Sequence, residues 1–447
     1  MSKPTPLSGF PELLPAERNA ELAVLEQLRC VFELHGYANI ETRVVEPLER
    51  LLSKGEIDKE VYVLRRLQAD DSASDAGVGL HYDLTVPFAR YVLENAGKLE
   101  FPFRRYQIQK AWRGERPQEG RFREFTQADI DVIGRDELAF HYDVEIARVI
   151  AEALAGLPIP ALRLQVNNRK LIEGFYRGVG ASEPSLVMQT MDKLDKLPAE
   201  TIRALLVELG LSPDQAGQCL ALAEITTDDT SFVDRVRDLG VEDPLLDTGL
   251  EELTAVIDGC AGVTNDRFGV SADLRVARGL DYYTGTVFET QMAGFSSLGS
   301  VCSGGRYDAL ASDGSTTYPG VGISFGVSRT LMPLFQRGLL TSTRSVPSVV
   351  LVAVVDEASR DSSDVVAQRL RSRGIPTEVA ATAQKYGKQI RYAERRGIPF
   401  VWFPVLDGQA GQVKDIRSGH QADADPDAWR PPDDDLHPRV TSKEQTS

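Results

Sequence analysis

The 447-residue chain lacks the sequence features of a membrane or secreted protein. It contains no run of about 18 apolar residues, which a membrane-spanning helix requires. Its N-terminal segment, MSKPTPLSGFPELLPAERNAE, has no apolar core followed by a small-residue cleavage site, as a secretory signal would have. We therefore expect a cytoplasmic protein that makes no contact with a membrane.

Patterns for metal binding and disulfide formation are also missing. The four cysteines are scattered without metal or disulfide spacing, so buried thiols are the better interpretation of Cys30, Cys219, Cys260 and Cys302. The five histidines form no HExxH pair or other ligand pair. We therefore expect no zinc and no other metal held by the protein alone.

The common nucleotide-binding signatures are absent too, since the chain has no GxxxxGKS or GxxxxGKT loop and no GxGxxG after a strand. If the protein uses ATP, arginines on an antiparallel sheet must hold it. Gly322 to Gly326 does match the GxSxG pattern of serine hydrolases, but only His420 and His437 follow Ser324 in the chain. No HGGG-type oxyanion segment is present, so we reject a hydrolase.

The formal net charge of −16 argues, taken alone, against nucleic-acid binding, because contacts with phosphate need lysine and arginine. Binding depends on a local patch, however, and net charge averages over the whole surface. The acid is also unevenly placed, with six aspartates in residues 421–447. The overall charge therefore does not decide the question.

The length is sufficient for two or three domains. Apolar spacing predicts a helix over 16–34, a strand over 40–45, and two antiparallel strands joined by a loop across 98–134. Residues from about 169 to 258 are mostly helical in pattern and carry no catalytic motif, which indicates an inserted helical subdomain. Strands and glycine-rich turns return over 271–329.

The pattern changes at residue 348, where strand and helix segments begin to alternate. This alternation predicts a small α/β domain with a largely parallel sheet. We therefore expect four parts: a core over 1–335, a linker over 336–347, an α/β domain over 348–421, and an acidic, flexible tail over 422–447.

The strongest chemical signal is RYQIQKAWRGERPQEGRFREFTQADIDVIG, residues 105–134. Four arginines crowd its loop, and the alternation that follows puts one set of side chains on one strand face: Phe125, Gln127, Asp129 and Asp131. Recognition of a polyphosphate would explain the clustered guanidinium groups. A solvated hairpin held by surface ion pairs explains the loop equally well if it is considered alone.

Two further blocks stand out. VARGLDYYTGTVFE, residues 276–289, combines Arg278 and Asp281 with two tyrosines and a turn, although a strand pair with a tyrosine packed in the core is an open alternative. GGRYDAL and GVGISFGVSRTLMPLF, residues 304–310 and 320–335, bring glycines that allow a ligand to approach the backbone, and then a helix with Arg329 in its first turn.

In this order, the blocks resemble the three signature motifs of class II aminoacyl-tRNA synthetases. The helix over 16–34 and the strand ending at Pro47 are similar to motif 1, which builds the homodimer interface in that class. Residues 105–134 resemble motif 2, and 320–335 resemble motif 3. RGLDYYTGTVFE resembles the peptide that marks the histidyl family, as do VNNRKLIEGFY and MDKLDKLP, and the resemblance extends from residue 8 to about 421.

The resemblance implies an α+β fold, with an antiparallel-sheet catalytic core that carries a helical insertion and a C-terminal α/β anticodon-binding domain. It also implies a homodimer that activates histidine with ATP and transfers it to the histidine tRNA. Mg²⁺ would accompany the ATP, held mainly by phosphate and water.

Residue by residue, the resemblance assigns ATP binding to motifs 2 and 3. Arg113 would grip the α-phosphate, Glu115 would face the adenine amino group, and Arg121 would hold the outer phosphates. Phe125 would stack on adenine, and Arg329 would hold the nucleotide from the other side. The catalytic arginines would be Arg113 and Arg278, with Arg278 at the α-phosphate.

For histidine, HYDLTVPFARY resembles the amino-acid-binding turn of the family. Asp83, Thr85 and Gln127 would hold the α-amino group, and Asp131 would meet the imidazole together with the tyrosine pair Tyr282 and Tyr283, beside Arg278. Some family members carry glutamate at positions 83 and 131, so a water could bridge the shorter aspartates. Ser328 departs from the acidic residue often found before the motif 3 arginine.

Contacts with tRNA are expected from two places. Gln118 and Arg123 of the motif 2 loop would contact the acceptor end. A helix over 384–396 carries a basic stripe at spacings of three and four, formed by Lys385, Lys388, Arg391 and Arg395. A solvated helix face is the alternative if this helix is considered alone.

Two alternative functions are open at this point. A regulatory paralogue that controls histidine biosynthesis through a phosphoribosyltransferase would lack the anticodon-binding domain and the RGLDYY-type peptide, and this chain has both. A tRNA-sensing module without catalysis would have broken ATP contacts, whereas Arg113, Glu115, Arg278 and Arg329 are all present.

Overall fold

The computed structural model describes residues 4–52, 60–67, 77–276, 283–312, 314–405 and 411–443. These residues form two compact units, the first from residues up to 11 together with 27–333, and the second from 12–26 together with residues from 334 onwards. Within the described ranges, every helix is too short or too polar to cross a membrane.

The N-terminal part of the chain, up to residue 168, contains most of the elements that the motifs predicted, and its first helix belongs partly to each unit. The long N-terminal helix follows its apolar spacing closely, whereas the strand expected over 40–45 is replaced by two short strands on either side of it. In chain order the elements are α1 Pro15–Leu34, β1 Ala38–Asn39, β2 Val45–Pro47, α2 Leu48–Leu51, β3 Val78–Leu80, α3 Thr85–Asn95, β4 Phe103–Trp112, β5 Glu124–Ile133, α4 His141–Ala155 and β6 Leu162–Asn168.

A run of helices follows β6 and occupies the range expected for the insertion, after which the chain returns to strands. The elements are α5 Arg169–Gly178, α6 Pro184–Met191, α7 Ala199–Glu208, α8 Pro213–Ala223, β7 Thr226–Thr227, α9 Phe232–Arg237, α10 Pro244–Cys260, β8 Phe268–Asp273, β9 Thr286–Met292, β10 Cys302–Ser312, β11 Thr317–Gly326 and α11 Val327–Gln336.

Two glycines allow α5 and α10 to pack closely. A Cβ atom on Gly174 would lie 2.1 Å from the backbone nitrogen of Leu246, and one on Gly249 would lie 2.1 Å from that of Leu171. Side chains at these two positions would separate the helices, so the first and last helices of this helical run are held together by a contact that only glycine permits. Asn168 accepts hydrogen bonds from the backbone of Lys170 and so caps the first turn of α5.

Nine strands of the first unit form one sheet in the order β1-β4-β5-β11-β10-β9-β6-β8-β7. The central pairs, from β4 to β6, are all antiparallel, and only β1 with β4 and β6 with β8 run parallel. The antiparallel-sheet core expected from the sequence is therefore confirmed.

The two faces of this sheet differ in polarity. On β5, Ala128, Ile130 and Val132 are buried and alternate with polar residues that point to the other side. Asp143 of α4 binds Arg306 of β10 with a shortest N–O distance of 2.6 Å, so α4 covers the face on which Arg306 lies. The opposite face carries the polar side chains, and the candidate site lies there.

The second unit contains the α/β pattern expected after residue 348. Its elements are β12 Leu340–Ser342, β13 Val350–Val352, α12 Arg360–Ser372, β14 Thr377–Val379, α13 Tyr386–Arg396, β15 Phe400–Phe403, β16 Gly411–Asp415, β17 Gln421–Ala424 and β18 Val440–Ser442. The main sheet has the order β14-β13-β15-β16-β17.

The expectation of a largely parallel sheet holds for only half of this sheet. β14, β13 and β15 are parallel, but β16 and β17 are added antiparallel. The reason is the length of the connections: β16 follows β15 after seven residues, and β17 follows β16 after five. A parallel pair needs a crossover of about a dozen residues or more, so these connections can only form hairpins.

The structure also differs from the expected linker and flexible tail. β12 lies within the supposed linker and pairs with β18 near the end of the chain. Trp429 packs against Phe400 and Trp402, with ring centres 5.3 and 5.6 Å apart. The acidic composition suggested disorder, but several of these carboxylates bind arginines of the same unit, as Asp435 binds Arg417 at 2.8 Å.

The four cysteines, all in the described ranges, form no disulfide. Cys219, Cys260 and Cys302 are buried as expected, whereas Cys30 on α1 is exposed. Burial raises the pKa of the Cys219 and Cys260 thiols to about 12, so both remain protonated at neutral pH and act as small apolar groups.

Candidate active site

A row of polar residues crosses the sheet on the face opposite α4. Directly opposed residues on neighbouring strands share a face, and the pairing of six strand pairs therefore aligns seven polar side chains. From β4 to β8 they are Gln107, Asp129, Ser324, Ser303, Glu289, Gln165 and Ser271. The end members Gln107 and Ser271 are buried, whereas Ser324, Ser303, Glu289 and Gln165 are at least partly exposed, which leaves the centre of this face available for a polar ligand.

Hydrogen bonds link the β5 and β11 members of this face. The Gln127 side-chain amide donates to Ser324 Oγ at 2.7 Å, and Ser324 Oγ donates to Asp129 Oδ1 at 2.5 Å. Burial, followed by the nearby carboxyl groups of Asp131 and Asp83, raises the pKa of Asp129 to about 7, although Arg105 and Ser324 act in the opposite direction. A buried carboxyl that titrates near neutral pH is typical of a functional site.

Asp131, expected at the imidazole, is engaged on both of its oxygens. Tyr307 donates its hydroxyl to Asp131 Oδ1 at 2.7 Å, and Arg105 Nη2 lies 2.6 Å from Oδ2. Gly322 on the neighbouring strand makes room for this carboxylate, since a Cβ atom there would lie 2.0 Å from Oδ1. Asp131 is therefore fixed in position before any ligand arrives.

Asp83 and Thr85 lie at the start of α3. The Val86 backbone N–H donates to Asp83 Oδ1 at 3.0 Å, so Asp83 caps the first turn of this helix. Thr85 is the first helical residue. The capping bond fixes the orientation of the Asp83 carboxylate, which also influences the pKa of Asp129 and of Tyr283.

Tyr283 lies against Gly305, because a Cβ atom on Gly305 would come within 2.7 Å of its ring. Burial raises the pKa of Tyr283, and Asp131, Asp129, Asp83 and Glu289 add to the effect in that order. The hydroxyl is therefore surrounded by carboxyl groups and stays protonated. Arg278 and Tyr282, which the sequence also assigned to this site, lie outside the described residues.

The ATP-binding residues predicted from the two motifs lie around one cavity of about 130 Å³. They come from positions up to about 200 residues apart in the chain, and Gln127 and Ser324 border the same space. The predicted residues that line it are Arg113, Glu115, Arg121, Phe125, Gln127 and Arg329.

Each cationic side chain around this cavity is oriented by a neighbour. Arg113 donates from Nε to the backbone oxygen of Tyr82 at 3.0 Å, and its guanidinium lies 5.2 Å from the centre of the Phe125 ring. Arg121 pairs with Glu115 at 3.3 Å. Arg329 donates from Nε to the backbone oxygen of Leu298 at 3.1 Å. The guanidinium groups are thus held in place without a ligand.

Ser328 has a role that the sequence did not suggest. Its hydroxyl accepts a hydrogen bond from the Thr126 backbone N–H at 2.8 Å and so connects α11 to β5. The residue at this position, where the resemblance led us to expect an acidic side chain, therefore joins motifs 2 and 3.

The two tRNA candidates in the motif 2 loop have structural contacts. Arg123 donates from Nε to the backbone oxygen of Glu115 at 3.3 Å and from Nη1 to that of Ser8 at 3.4 Å. Gln118 closes a turn through backbone hydrogen bonds with Arg121. Arg123 thus holds the loop together, whereas the exposed Gln118 side chain lies on its surface.

In the second unit, the predicted basic stripe borders a groove. Lys385, Lys388, Arg391 and Arg395 are all exposed on or beside α13. Three of them, Lys388, Arg391 and Arg395, line a cavity of about 360 Å³ together with Tyr392 and Gln384. A concave surface with several cations and an aromatic ring fits a single-stranded nucleic acid.

Reasoning from the sequence missed four residues of the first-unit site. Asp129 was predicted on the correct strand face but was given no role. Ser324 was considered only as part of the GxSxG pattern of serine hydrolases, which was rejected. Arg105 and Tyr307, which hold Asp131, were not singled out. The sequence carried no clear signal for Arg105, because β4 contains two arginines, two glutamines and a lysine, and nothing local marks which of them is buried.

The fold and this site define a class II aminoacyl-tRNA synthetase. Among solved structures, the crystal structure of histidyl-tRNA synthetase from Nostoc sp. PCC 7120 matches with a TM-score of 0.84 and 34% sequence identity, over 95% of this chain and 97% of that chain. A family model described as histidyl-tRNA synthetase matches residues 9–330, and one described as anticodon binding domain matches 348–403.

Curated relatives agree with these matches. The histidine–tRNA ligase of Cutibacterium acnes is 57% identical over 98% of this chain and 99% of its own length, and that of Micrococcus luteus is 55% identical over the same shares. The chain belongs to the histidyl-tRNA synthetase family.

Proposed function

We propose that the chain is a histidine–tRNA ligase that forms histidyl-adenylate from histidine and ATP and then transfers histidine to the 3′ end of its tRNA. One observation carries this proposal: residues of motif 2 and motif 3, including Arg113 and Arg329, border a single cavity next to the polar row of the sheet. Arginine donors thus lie beside amino-acid acceptors, as adenylate formation requires.

ATP would bind along the motif 2 hairpin. Arg113 would contact the α-phosphate, Arg121 the outer phosphates, and Arg329 the nucleotide from the other side, while Phe125 stacks on adenine near Glu115. Guanidinium groups suit this task because their fork geometry matches phosphate oxygens. Mg²⁺ would accompany the ATP and be held mainly by phosphate oxygens and water.

Histidine would bind over the β5–β11 part of the polar row. The Gln127 side-chain oxygen is buried and has no hydrogen-bond partner among the described residues, so it can accept from the α-ammonium group. Asp83 and Thr85 would complete this acceptor set. The imidazole would lie near Asp131 and Tyr283, with Tyr282 adjacent in the chain.

In the first reaction step, the histidine carboxylate attacks the α-phosphorus and pyrophosphate leaves. The carboxylate is ionised at neutral pH, so no general base is required. Catalysis then consists of positioning and of stabilising the charge that develops on the phosphoryl oxygens. Arg113 would supply that stabilisation from the motif 2 side, and Arg278, by resemblance to the family, from the other side.

In the second step, a terminal ribose hydroxyl of the tRNA attacks the adenylate, and the class implies the 3′-hydroxyl. The groove beside α13 would bind the anticodon region through Lys388, Arg391 and Arg395, with Lys385 at the helix start. Gln118 would contact the acceptor end. Arg123 would act indirectly, by holding the motif 2 loop through its contacts with Glu115 and Ser8.

We also propose a homodimer. Apolar side chains are exposed on the short β2–β3 pair and the segments beside it: Val45 at 36%, Leu52 at 41%, Val63 at 55% and Val78 at 37%. Such a patch is typical of an interaction surface, and it follows the helix and strand that resemble motif 1. Sedimentation analysis should give twice the 49.1 kDa chain mass. We expect the enzyme to work in the cytoplasm, where tRNA and ATP are available.

Pyrophosphate exchange into ATP, measured without tRNA and with each of the twenty amino acids in turn, tests the proposed activity. Exchange with histidine alone is the expected result. A folded protein that binds ATP or tRNA but catalyses no exchange would instead be a regulatory or tRNA-sensing member of the family.

A further inference from the structure

We propose that Asp129, acting through Ser324, is a positioning residue that orients the Gln127 amide and thereby makes the amino-acid site selective for a protonated α-amine. This inference rests on the proposed function, which assigns the α-amino group to Gln127 but gives no role to Asp129 or Ser324.

The three side chains form a continuous chain of hydrogen bonds across two strands. Ser324 lies directly opposite Asp129, and Gly326 lies directly opposite Gln127, in the β5–β11 pairing. Gln127 Nε2 donates to Ser324 Oγ at 2.7 Å, and Ser324 Oγ donates to Asp129 Oδ1 at 2.5 Å. Gln127 and Ser324 both border the cavity, whereas Asp129 lies beneath them and is 3% exposed.

The direction of these hydrogen bonds follows from the number of protons available. An ionised carboxylate can only accept, so the single hydroxyl proton of Ser324 must be donated to Asp129. Ser324 then has only lone pairs to offer, and Gln127 must turn its NH₂ group towards it. The Gln127 oxygen is consequently directed away from Ser324, buried and without a partner in the described part of the chain.

A ligand with an N–H donor satisfies this oxygen. A buried acceptor that lacks a partner costs about 1–3 kcal/mol, and a donor of positive charge relieves that cost most effectively. An α-hydroxy or α-unsubstituted analogue carries no cation there and cannot do so equally well. Asp129 therefore contributes to the selection of the amine without being required to touch it.

The surroundings of Asp129 support this assignment. The charged and titratable groups that interact electrostatically with it are Arg105 on β4, Asp131 on β5, Asp83 before α3, Tyr283 before β9 and, from the other face of the sheet, Cys302 on β10. Three carboxyl groups against one arginine leave the pocket floor negative, and the pKa of Asp129 stands at about 7. When Asp129 is protonated it can donate to Ser324, which can then donate to the Gln127 oxygen and remove the acceptor.

The test uses two ligands that differ in the amine alone, L-histidinol and 3-(imidazol-4-yl)propan-1-ol. Their affinities are measured by calorimetry at pH 8 for the full chain and for Ser324→Ala, Ser324→Thr and Asp129→Asn. Ser271→Ala is the matched control, since Ser271 is a buried serine of the same row, four strands away on β8.

We expect Ser324→Ala and Asp129→Asn to weaken histidinol binding about tenfold and to leave the deamino analogue unchanged, because tenfold corresponds to about 1.4 kcal/mol and lies in the range for one buried acceptor. Ser324→Thr keeps the hydroxyl and should retain the wild-type affinity, as should Ser271→Ala. The KM for histidine should rise while the KM for ATP and kcat stay constant. For wild type alone, the preference for histidinol should diminish from pH 8 to pH 6.

Equal weakening of both ligands would overturn the inference, because the two residues would then act on the imidazole or on the fold. Unchanged histidinol binding in Ser324→Ala would overturn it as well. If wild type binds neither ligand and catalyses no histidine-dependent exchange, the proposed function fails, and the inference fails with it. Normal exchange with an unaffected Ser324→Ala variant refutes only the inference.

Discussion

The buried carboxyl of Asp129 should make the stability of the first unit depend on pH in an unusual direction. Its pKa is raised from 3.8 to about 7 in the folded chain, chiefly by burial. Between these values the folded state binds a proton that the unfolded state does not, so the free energy of unfolding decreases as the pH rises through this window. From about one pH unit above that pKa, the loss is complete and constant.

The size of the effect follows from the shift. About three pKa units at 1.36 kcal/mol each correspond to about 4 kcal/mol of lost stability at high pH. An unfolding entropy of about 2.1 cal/mol/K per residue over a unit of roughly 320 residues converts this to about 6 °C in Tm. Asp129→Asn removes the charge with almost no change of shape. The free energy of unfolding of this variant should therefore not decrease between low and high pH on account of residue 129.

Thermal unfolding of wild type and Asp129→Asn at pH 4 and pH 8 provides the measurement. Comparing the two Tm differences cancels the titrating groups that do not interact with Asp129, and we expect the variant to gain about 6 °C on wild type between the two pH values. Asp229→Asn is the control, because Ser231 hydrogen bonds lower the pKa of that exposed carboxyl and it should show no gain at high pH. A Tm difference for Asp129→Asn that is independent of pH would refute the reasoning, since Asp129 would then titrate as a hydrated carboxyl.

Three further predictions concern other parts of the molecule. Arg113→Ala should lower kcat for histidine-dependent pyrophosphate exchange about 10²–10³-fold, as expected for one preorganised donor, and should leave tRNA binding in a filter assay intact. Lys388→Ala combined with Arg391→Ala should leave pyrophosphate exchange unchanged. It should raise the KM for tRNA and make this KM less dependent on salt concentration. Arg105→Met leaves Asp131 buried without its cation and should lower the free energy of unfolding by about 3–5 kcal/mol, measurable by denaturant titration; an unchanged midpoint would mean that the pair contributes nothing.

Local patterns in the sequence predicted the frame of the site well. Alternation over 98–134 predicted two strands and a loop, and these are β4, β5 and the turn that carries Gln118 and Arg121. Side-chain period along a strand is a local property, so a single sequence contains it. The same period put Gln127, Asp129 and Asp131 on one face.

The partners of these residues were not predictable, because they depend on strand register. Ser324 lies 195 positions from Asp129 along the chain, and only the pairing of β11 with β5 makes them neighbours. A shift of one residue would have turned Ser324 to the opposite face. The partners of Asp131 were unpredictable for the same reason. No residue near it in the sequence indicates that Arg105 and Tyr307 bind its carboxylate.

The prediction from composition was wrong at the C-terminal end of the chain. Aspartates in residues 422–443 suggested a solvated tail, yet Trp429 packs against Phe400 and Trp402, and Arg369 binds Asp425 and Asp427. A segment rich in aspartate is predicted to be solvated unless the arginines that bind its carboxylates are known. For Asp425 and Asp427 the cation is Arg369 of α12, more than fifty residues earlier, whereas Arg417 binds Asp435 from 18 positions away.

The second unit combines a segment near the start of the chain with residues from 334 onwards, and this arrangement has a consequence for protein synthesis. Residues 12–26 belong to it, and Asn19 of that stretch donates to the backbone oxygen of Arg344 at 3.1 Å. β18, at residues 440–442, pairs with β12 of the same unit. At about 5–20 residues per second, the ribosome needs tens of seconds to reach β18. Asn19 must therefore wait until residue 344, which lies 325 positions further on, has been synthesised, and Thr341 of β12 waits for Thr441 of β18, another 100 positions later.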